Sequence, residues 1–327
     1  MAYGDKRQNP RKNTGRRTRI NIEHYVTKSE FLTLRNNRNS MSDICKIINF
    51  PSGPKTLNKY VVSEGWSVGE KVTGKRRETT LDEDFFKKWT RNSAWAYGWL
   101  LTDGSVDIKS GQIRLMLNSQ DRDVLIKLKN GMQYSGKVYD GEQRDGRKYS
   151  YLRVCRREMV ADLADLGMAM QNKTFNTSVP ELPETLFRDF LRGITEGDGS
   201  IKHGKQWNDL QVSICSATES FLVDVQTELL KRGIHATLKE HLPGTSGRKN
   251  YLYTLTTKSN ADALRWCIII YGDTSADMRL NRKFDIFTNY VRGYYDRNRR
   301  SRACISLIEE IKRTIPECFE TPPQAVA

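Results

Sequence analysis

Histidine is scarce, with 4 in 327 residues, and the six cysteines form no Cys-x-x-Cys pair. Neither type is placed to build a zinc cluster. The cysteines are scattered, which reads as reduced packing residues in a cytosol-like compartment. Long apolar runs are also missing. The longest, Trp266 to Tyr271, is far short of the ~18 residues that span a bilayer, so no membrane association is expected. The basic N-terminus has no apolar segment behind it, and no secretory signal is expected. Mean hydropathy is −0.66, so the surface is very polar. Acidic residues are in deficit: 54 Lys and Arg face 39 Asp and Glu, for a net charge of +15. Such an excess points to a polyanion, most often nucleic acid. It is uneven, since residues 1–80 hold 17 Lys and Arg against 7 Asp and Glu.

What the chain does contain is a repeat. Ala96 to Ser105 reads AYGWLLTDGS, and Leu191 to Ser200 reads LRGITEGDGS. Each is an apolar segment with a central glycine that ends in Asp-Gly-Ser, and Asp103 and Asp198 lie 95 positions apart. One structural unit used twice is the natural reading. Ala94, Gly98 and Thr102 fall on one helix side, and Asp189, Gly193 and Gly197 hold the same places in the second copy. Small residues at i, i+4 and i+8 let two helix backbones approach closely. The aspartates then sit at adjoining helix C-termini, with Gly104 and Gly199 in the turns out. For one copy alone, a helix-end turn residue is the preferred reading; two copies with matching surroundings suggest a shared cation site.

The surroundings do match. Strands carrying Ile113, Leu115, Leu117 and Leu210, Val212, Ile214 follow the motifs. Helices are expected over Asp121 to Gly131 and Glu219 to Gly233, then basic hairpins near Gly141 to Lys148 and Gly244 to Lys249. A closing helix follows in each copy, Met159 to Gly167 and Ala261 to Ile270. The order helix, two strands, helix, two strands, helix occurs twice, an α+β pattern. The expected divisions are a basic flexible arm 1–19, a helical module 20–66, a linker 67–80, halves at 81–180 and 181–290, and a basic extension 291–327. In the helical module, Ser42 is the expected cap of a helix carrying Ile44, Ile47 and Ile48, and Pro51 to Pro54 forces a turn. This resembles small helix-turn-helix modules, with Lys55, Thr56, Asn58 and Lys59 toward DNA; a plain three-helix packing unit is the competing reading.

The paired motifs resemble those of LAGLIDADG homing endonucleases of the single-chain, two-motif type. The second copy fits well, while in the first Tyr97 replaces the usual Ala and Leu101 replaces the internal acid. The resemblance covers roughly residues 81–290. It implies two pseudo-symmetric αββαββα halves whose sheets form a DNA-binding saddle, with motif helices joined through Gly98, Thr102, Gly193 and Gly197. It further implies a monomer that cuts double-stranded DNA with two or more Mg2+ ions. Asp103 and Asp198 would be catalytic and metal-binding, joined by Gly104 and Gly199, with Lys173 and Lys283 assisting. Gln112, Arg114, Asn118, Arg153 and Gln211 would read base edges, by the pairing of Arg with guanine and Asn or Gln with adenine. Arg144, Arg147, Lys148, Arg248 and Lys249 would grip phosphates. The alternative is a catalytically inactive binder on the same fold, an intron RNA maturase or a transcription regulator. Self-splicing is not expected, because a starting nucleophile and a His-Asn end are lacking.

Overall fold

In the computed structural model, residues 22–37, 39–66, 79–204, 209–244, 249–295 and 302–320 are described. The arm 1–19, most of the linker and Arg248 lie outside them. The chain divides into two compact units, Met1–Glu78 and Thr79–Ala327.

The first unit contains three short helices, α1 (Lys28–Asn36), α2 (Met41–Ile47) and α3 (Pro54–Ser63). Thr27 and Glu30 form a capping box on α1, each satisfying the other's main-chain N–H. The cap of α2 is Ser40, not the expected Ser42. Ser40 Oγ accepts from Asp43 N at 3.1 Å, while Ser40 N donates to Asp43 Oδ2 at 3.1 Å. Acid at the third helical position decides between the two serines, because only Ser40 has one three residues later. Pro54 opens α3, where its missing N–H is no loss. Ile22, Val26, Phe31, Ile44, Leu57, Val61 and Trp66 form the core of this unit.

The second unit repeats one topology. Its first half runs α4 (Arg91–Thr102), β1 (Gly104–Asp107), β2 (Gln112–Asn118), α5 (Arg122–Gly131), β3 (Val138–Glu142), β4 (Lys148–Cys155) and α6 (Arg157–Asp165). The second half runs α7 (Phe187–Gly197), β5 (Gly199–His203), β6 (Leu210–Ser216), α8 (Glu219–Lys231), β7 (Ala236–His241), β8 (Leu252–Thr257) and α9 (Asn260–Tyr271). Each half has one antiparallel sheet, ordered β1-β2-β4-β3 and β5-β6-β8-β7. Alternation follows the sequence: Ile113, Leu115, Leu117, Leu210, Val212 and Ile214 are all buried. The expected αββαββα order is thus present in both halves, and the fold is α+β.

Helices α4 and α7 pack directly on one another. A Cβ added at Gly98 would lie 2.7 Å from Phe190 O and 2.8 Å from Gly193 Cα. One added at Gly197 would lie 2.0 Å from Thr102 Oγ1. The four expected contact residues therefore do meet. Asp189 departs from the small-residue stripe. It is fully buried and paired with Arg192 Nη2 at 2.7 Å and Arg91 Nε at 3.4 Å. A buried carboxylate needs such partners.

Two boundaries move. Thr80 donates its N–H to Ser135 Oγ, so Thr79 and Thr80 belong with the second unit rather than the linker. Helix α10 (Asn281–Tyr295) runs through position 290, and α11 (Arg302–Thr314) follows it. Leu307, Ile308 and Ile311 of α11 join the core cluster, and Arg279 makes a bidentate pair with Glu317. The C-terminal segment is thereby built into the unit, because its apolar residues recur at helical spacing.

Candidate active site

The glycine contact fixes where the two motif helices end. Asp103 is the C-cap of α4, and Asp198 is the C-cap of α7, both with right-handed helical backbone. Gly104 and Gly199 follow, and neither takes a left-handed φ. They are glycines for lack of room: a Cβ would lie 2.5 Å from Leu100 O and 2.3 Å from Thr195 O respectively. The turn each makes is tight against its own helix.

A helix C-terminus carries partial negative charge, and a carboxylate there adds to it. Two lysines answer that charge. Lys173 Nζ donates to Leu100 O, Thr102 O and Gly104 O at 2.7, 3.2 and 2.5 Å. Lys283 Nζ lies 3.0, 2.5, 3.3 and 2.6 Å from Thr195 O, Glu196 O, Gly197 O and Gly199 O. A shift of 95 maps the first set of carbonyls onto Thr195, Gly197 and Gly199, so the two caps are equivalent. An ammonium has three N–H groups, and here the main chain takes them all. The lysines stand where the sequence expected them, but they hold helix ends. The carbonyls of Gly104 and Gly199 in turn each accept an ammonium, leaving the two carboxylates with the larger free donor capacity for a cation. Burial lowers Lys173 to about 8 despite the attraction of Asp198 and Asp103. Lys283 is lowered to about 8 by the same cause.

Both aspartates reach the surface. Loss of surrounding water, then the charge of Asp103, pushes the Asp198 carboxyl up to about 6, against the pull of Lys173 and Lys283. Asp103 is also raised by loss of water, with the Thr102 hydroxyl and both lysines opposing. A cavity of about 90 Å3 lies beside Asp198, lined by Thr102, Lys173, Cys215 and Phe221 among others. No group of three His, Cys, Asp or Glu that could hold a metal occurs among the described residues. The donor set fits Mg2+ nonetheless, since that ion commonly takes one or two carboxylates and completes its shell with water and substrate phosphate.

Among the positions where the two motifs differ, one places an acid inside the second helix. Glu196 is 1% exposed and accepts from Trp95 Nε1 at 2.8 Å and Leu280 N at 2.7 Å. It ties α7 both to α4 and to the start of α10, while its counterpart Leu101 is a core residue. Trp266 Nε1 donates to Thr195 Oγ1 at 3.1 Å, a further pin on the same helix. Neither tryptophan contact was visible in the sequence, because both partners are remote.

With this geometry in view, residues 186–267 match the family description LAGLIDADG-like domain. The chain carries a LAGLIDADG-like domain. The matched range begins one residue before α7 and ends within α9, so it covers the second half, and the first half repeats the same element order. Among curated proteins, the replication factor C small subunit of Methanocaldococcus jannaschii is 25% identical over 175 residues. That match takes in 49% of this chain but only 9% of the relative's length. Similar solved structures include the N-terminal LAGLIDADG domain of DUF199/WhiA, at 19% identity and TM-score 0.39, covering 60% of this chain and 90% of that one. Full-length DUF199/WhiA from Thermatoga maritima is similar at 17% identity and TM-score 0.40, over 72% of each chain. The homing endonuclease I-DmoI in complex with DNA and Ca is similar at 16% identity and TM-score 0.40, covering 58% of this chain and 93% of that one.

The remaining site residues distribute as follows. Gln112, Arg114 and Asn118 of β2 and Arg153 of β4 share the first sheet's outer face, with Arg114 directly opposite Arg153. Asn118 is partly committed, since its Oδ1 accepts from Gln120 N at 3.0 Å. Gln211 is exposed on β6, in the LAGLIDADG-like domain itself. Arg144, Arg147 and Lys148 are exposed at the β3–β4 hairpin, where Arg147 pairs with Asp145 at 2.8 Å. Lys249 is exposed, and Arg248 lies outside the described residues. Lys55, Asn58 and Lys59 are exposed on α3, and Thr56 is half-buried. Tyr139 and Tyr151, on the same outer face as Arg114, escaped the sequence reading. Tyr151 lies two residues before Arg153 on β4, which was the available signal, while Tyr139 comes beside it through the β3–β4 register. Among the described residues no helix is long and apolar enough to cross a membrane.

Proposed function

We propose that this chain is a site-specific endonuclease that makes a double-strand break in a long DNA target by Mg2+-dependent phosphodiester hydrolysis, acting as a monomer. The pairing of Asp103 with Asp198 carries the reading: equivalent carboxylates at joined helix ends, close enough that one charge raises the other's pKa. Such a pair carries a standing repulsion that a divalent cation relieves. Mg2+ bound there with substrate phosphate would lower the pKa of a water and neutralise charge on the leaving 3′ oxygen. Asp103 and Asp198 hold the negative charge in place. Lys173 and Lys283 lock the helix ends that bear them. The glycine contact sets their separation. Pseudo-symmetry allots one carboxylate to each strand of a duplex.

Duplex DNA suits the basic balance of +15 and the arginines on the first sheet's outer face. Lys55, Asn58 and Lys59 of the N-terminal unit would add a further grip. One observation favours a second reading, a catalytically inactive binder of DNA or intron RNA: both ammonium groups are already saturated by main chain, with no N–H left for a water. The full-length chain, mixed with a randomised duplex library and Mg2+, separates the two. Double-strand ends at a recurring sequence support the nuclease. Retention of duplex without ends sinks it and leaves the binder standing.

A further inference from the structure

The two lysine caps are equivalent, but what stands beside them is not. Arg282 precedes Lys283 at the start of α10. Its Nε donates to Asp121 Oδ1 at 2.8 Å and its Nη2 to Asp121 Oδ2 at 2.9 Å, two parallel bonds that fix the guanidinium plane. Asp121 is the N-cap of α5 in the first half, so the pair joins the halves. It also lies near the site. Gly104 is opposite Leu115 in the β1–β2 register, so the chain leaving β2 runs back past the end of α4 that bears Asp103. Burial raises the Asp103 carboxyl, Thr102 and both lysines oppose, and the charge of Asp121 adds to the rise. The Asp121 side chain is 11% exposed and that of Arg282 is 44% exposed. A guanidinium has five N–H groups, and the carboxylate takes two. The Nη1 group has no acceptor among the described residues. Beside the other cap, Asn172 precedes Lys173. The N-cap of α8 is Thr218, whose hydroxyl donates to Thr174 O at 3.1 Å. The clamp there is neutral.

We infer that Arg282, aimed by Asp121, grips a backbone phosphate of one DNA strand at the site, and that the other strand meets no equivalent guanidinium. The grip rests on the DNA-binding part of the function proposed above, and its effect on rate rests on the cleavage part. Asp121 holds one edge of the guanidinium and leaves the outer edge, whose parallel N–H groups match two phosphate oxygens. Both lysine ammonium groups are taken by main chain, so neither can do this. As water adds to phosphorus, charge builds on the non-bridging oxygens. A fixed guanidinium answers that charge without rearranging, and here it does so at one strand only. The two strands should therefore open at unequal rates.

The test uses the full-length chain and one selected duplex. Without divalent metal, affinity is measured against salt concentration. Arg282→Ala should lower the slope of log affinity on log salt by about one, the loss of one phosphate contact, and Arg282→Lys should keep it. With Mg2+, each strand is followed by its own end label. Arg282→Ala should open one strand roughly 100-fold more slowly and the other at the native rate, so that nicked duplex accumulates. Arg282→Lys should recover part of that loss, because it keeps the charge but not the fork. It also keeps a partner for Asp121, so it reads the site even if the alanine variant folds poorly. A pair that only staples the halves would slow both strands alike and lower the melting temperature, and that result overturns the inference. So does an unchanged salt slope, or an unchanged ratio of nicks to breaks in a chain that cuts. Duplex bound with the expected slopes but never cut by the native chain refutes the nuclease and leaves the grip standing.

Discussion

Replacing Gly193 by alanine tests the helix contact that sets the whole site. The new methyl would lie 2.5 Å from Trp95 O and 2.9 Å from Gly98 Cα, both main-chain atoms. Neither can rotate away, so α4 and α7 must part by about 1 Å to reach ordinary van der Waals distance. Overpacking of this kind costs about 3 kcal/mol. Alanine returns about 1 kcal/mol of helix propensity. The net loss is about 2 kcal/mol, or roughly 4–8 °C in melting temperature for a unit of this size. Gly131→Ala is the control, because its Cβ would meet only ordinary contacts at 3.6 Å, from the Asn92 side chain. Thermal and urea melts of the two variants, run side by side, should separate them clearly. Folded Gly193→Ala should also cut DNA about 100-fold more slowly, since a shift of ~1 Å misplaces a reacting pair by that factor. Equal stability of the two variants would refute the close-approach reasoning.

Other outcomes follow from the same geometry. Glu196→Gln puts an amide donor against Trp95 Nε1 or Leu280 N and should cost about 1–3 kcal/mol in a urea titration; an unchanged midpoint contradicts the pin. With the Asp198 carboxyl near 6, its anion is lost as pH falls through that value, so metal-supported cleavage should decline on the acid side. At limiting Mg2+ the decline should centre near pH 6 in a pH–rate profile, and a profile flat down to pH 5 under that condition contradicts it. Deleting residues 1–66 should weaken binding and shorten the protected footprint; an unchanged footprint removes the N-terminal unit from DNA recognition.

The repeat made most of the second unit legible. Apolar alternation in β2 and β6 and the matched glycines gave the element order, and the Asp-Gly-Ser ends located both carboxylates. What stayed hidden has a common cause. The acceptors of Lys173 and Lys283 are main-chain carbonyls, which no side-chain pattern records. The partners of Glu196 and Trp266, and Arg91 beside Asp189, lie 71 to 101 positions away in sequence, so only the folded chain joins them. The cap at Ser40 rather than Ser42 is instead a local feature, set by Asp43 three residues on.

The most direct measurement is cleavage of one selected duplex, with Mg2+, by the native chain, Asp103→Asn and Asp198→Asn, scored for both strands. The native chain should open both strands at one place, and each variant should bind the same duplex without making a double-strand break. Breaks made at the native rate by both variants would contradict the assignment of these carboxylates.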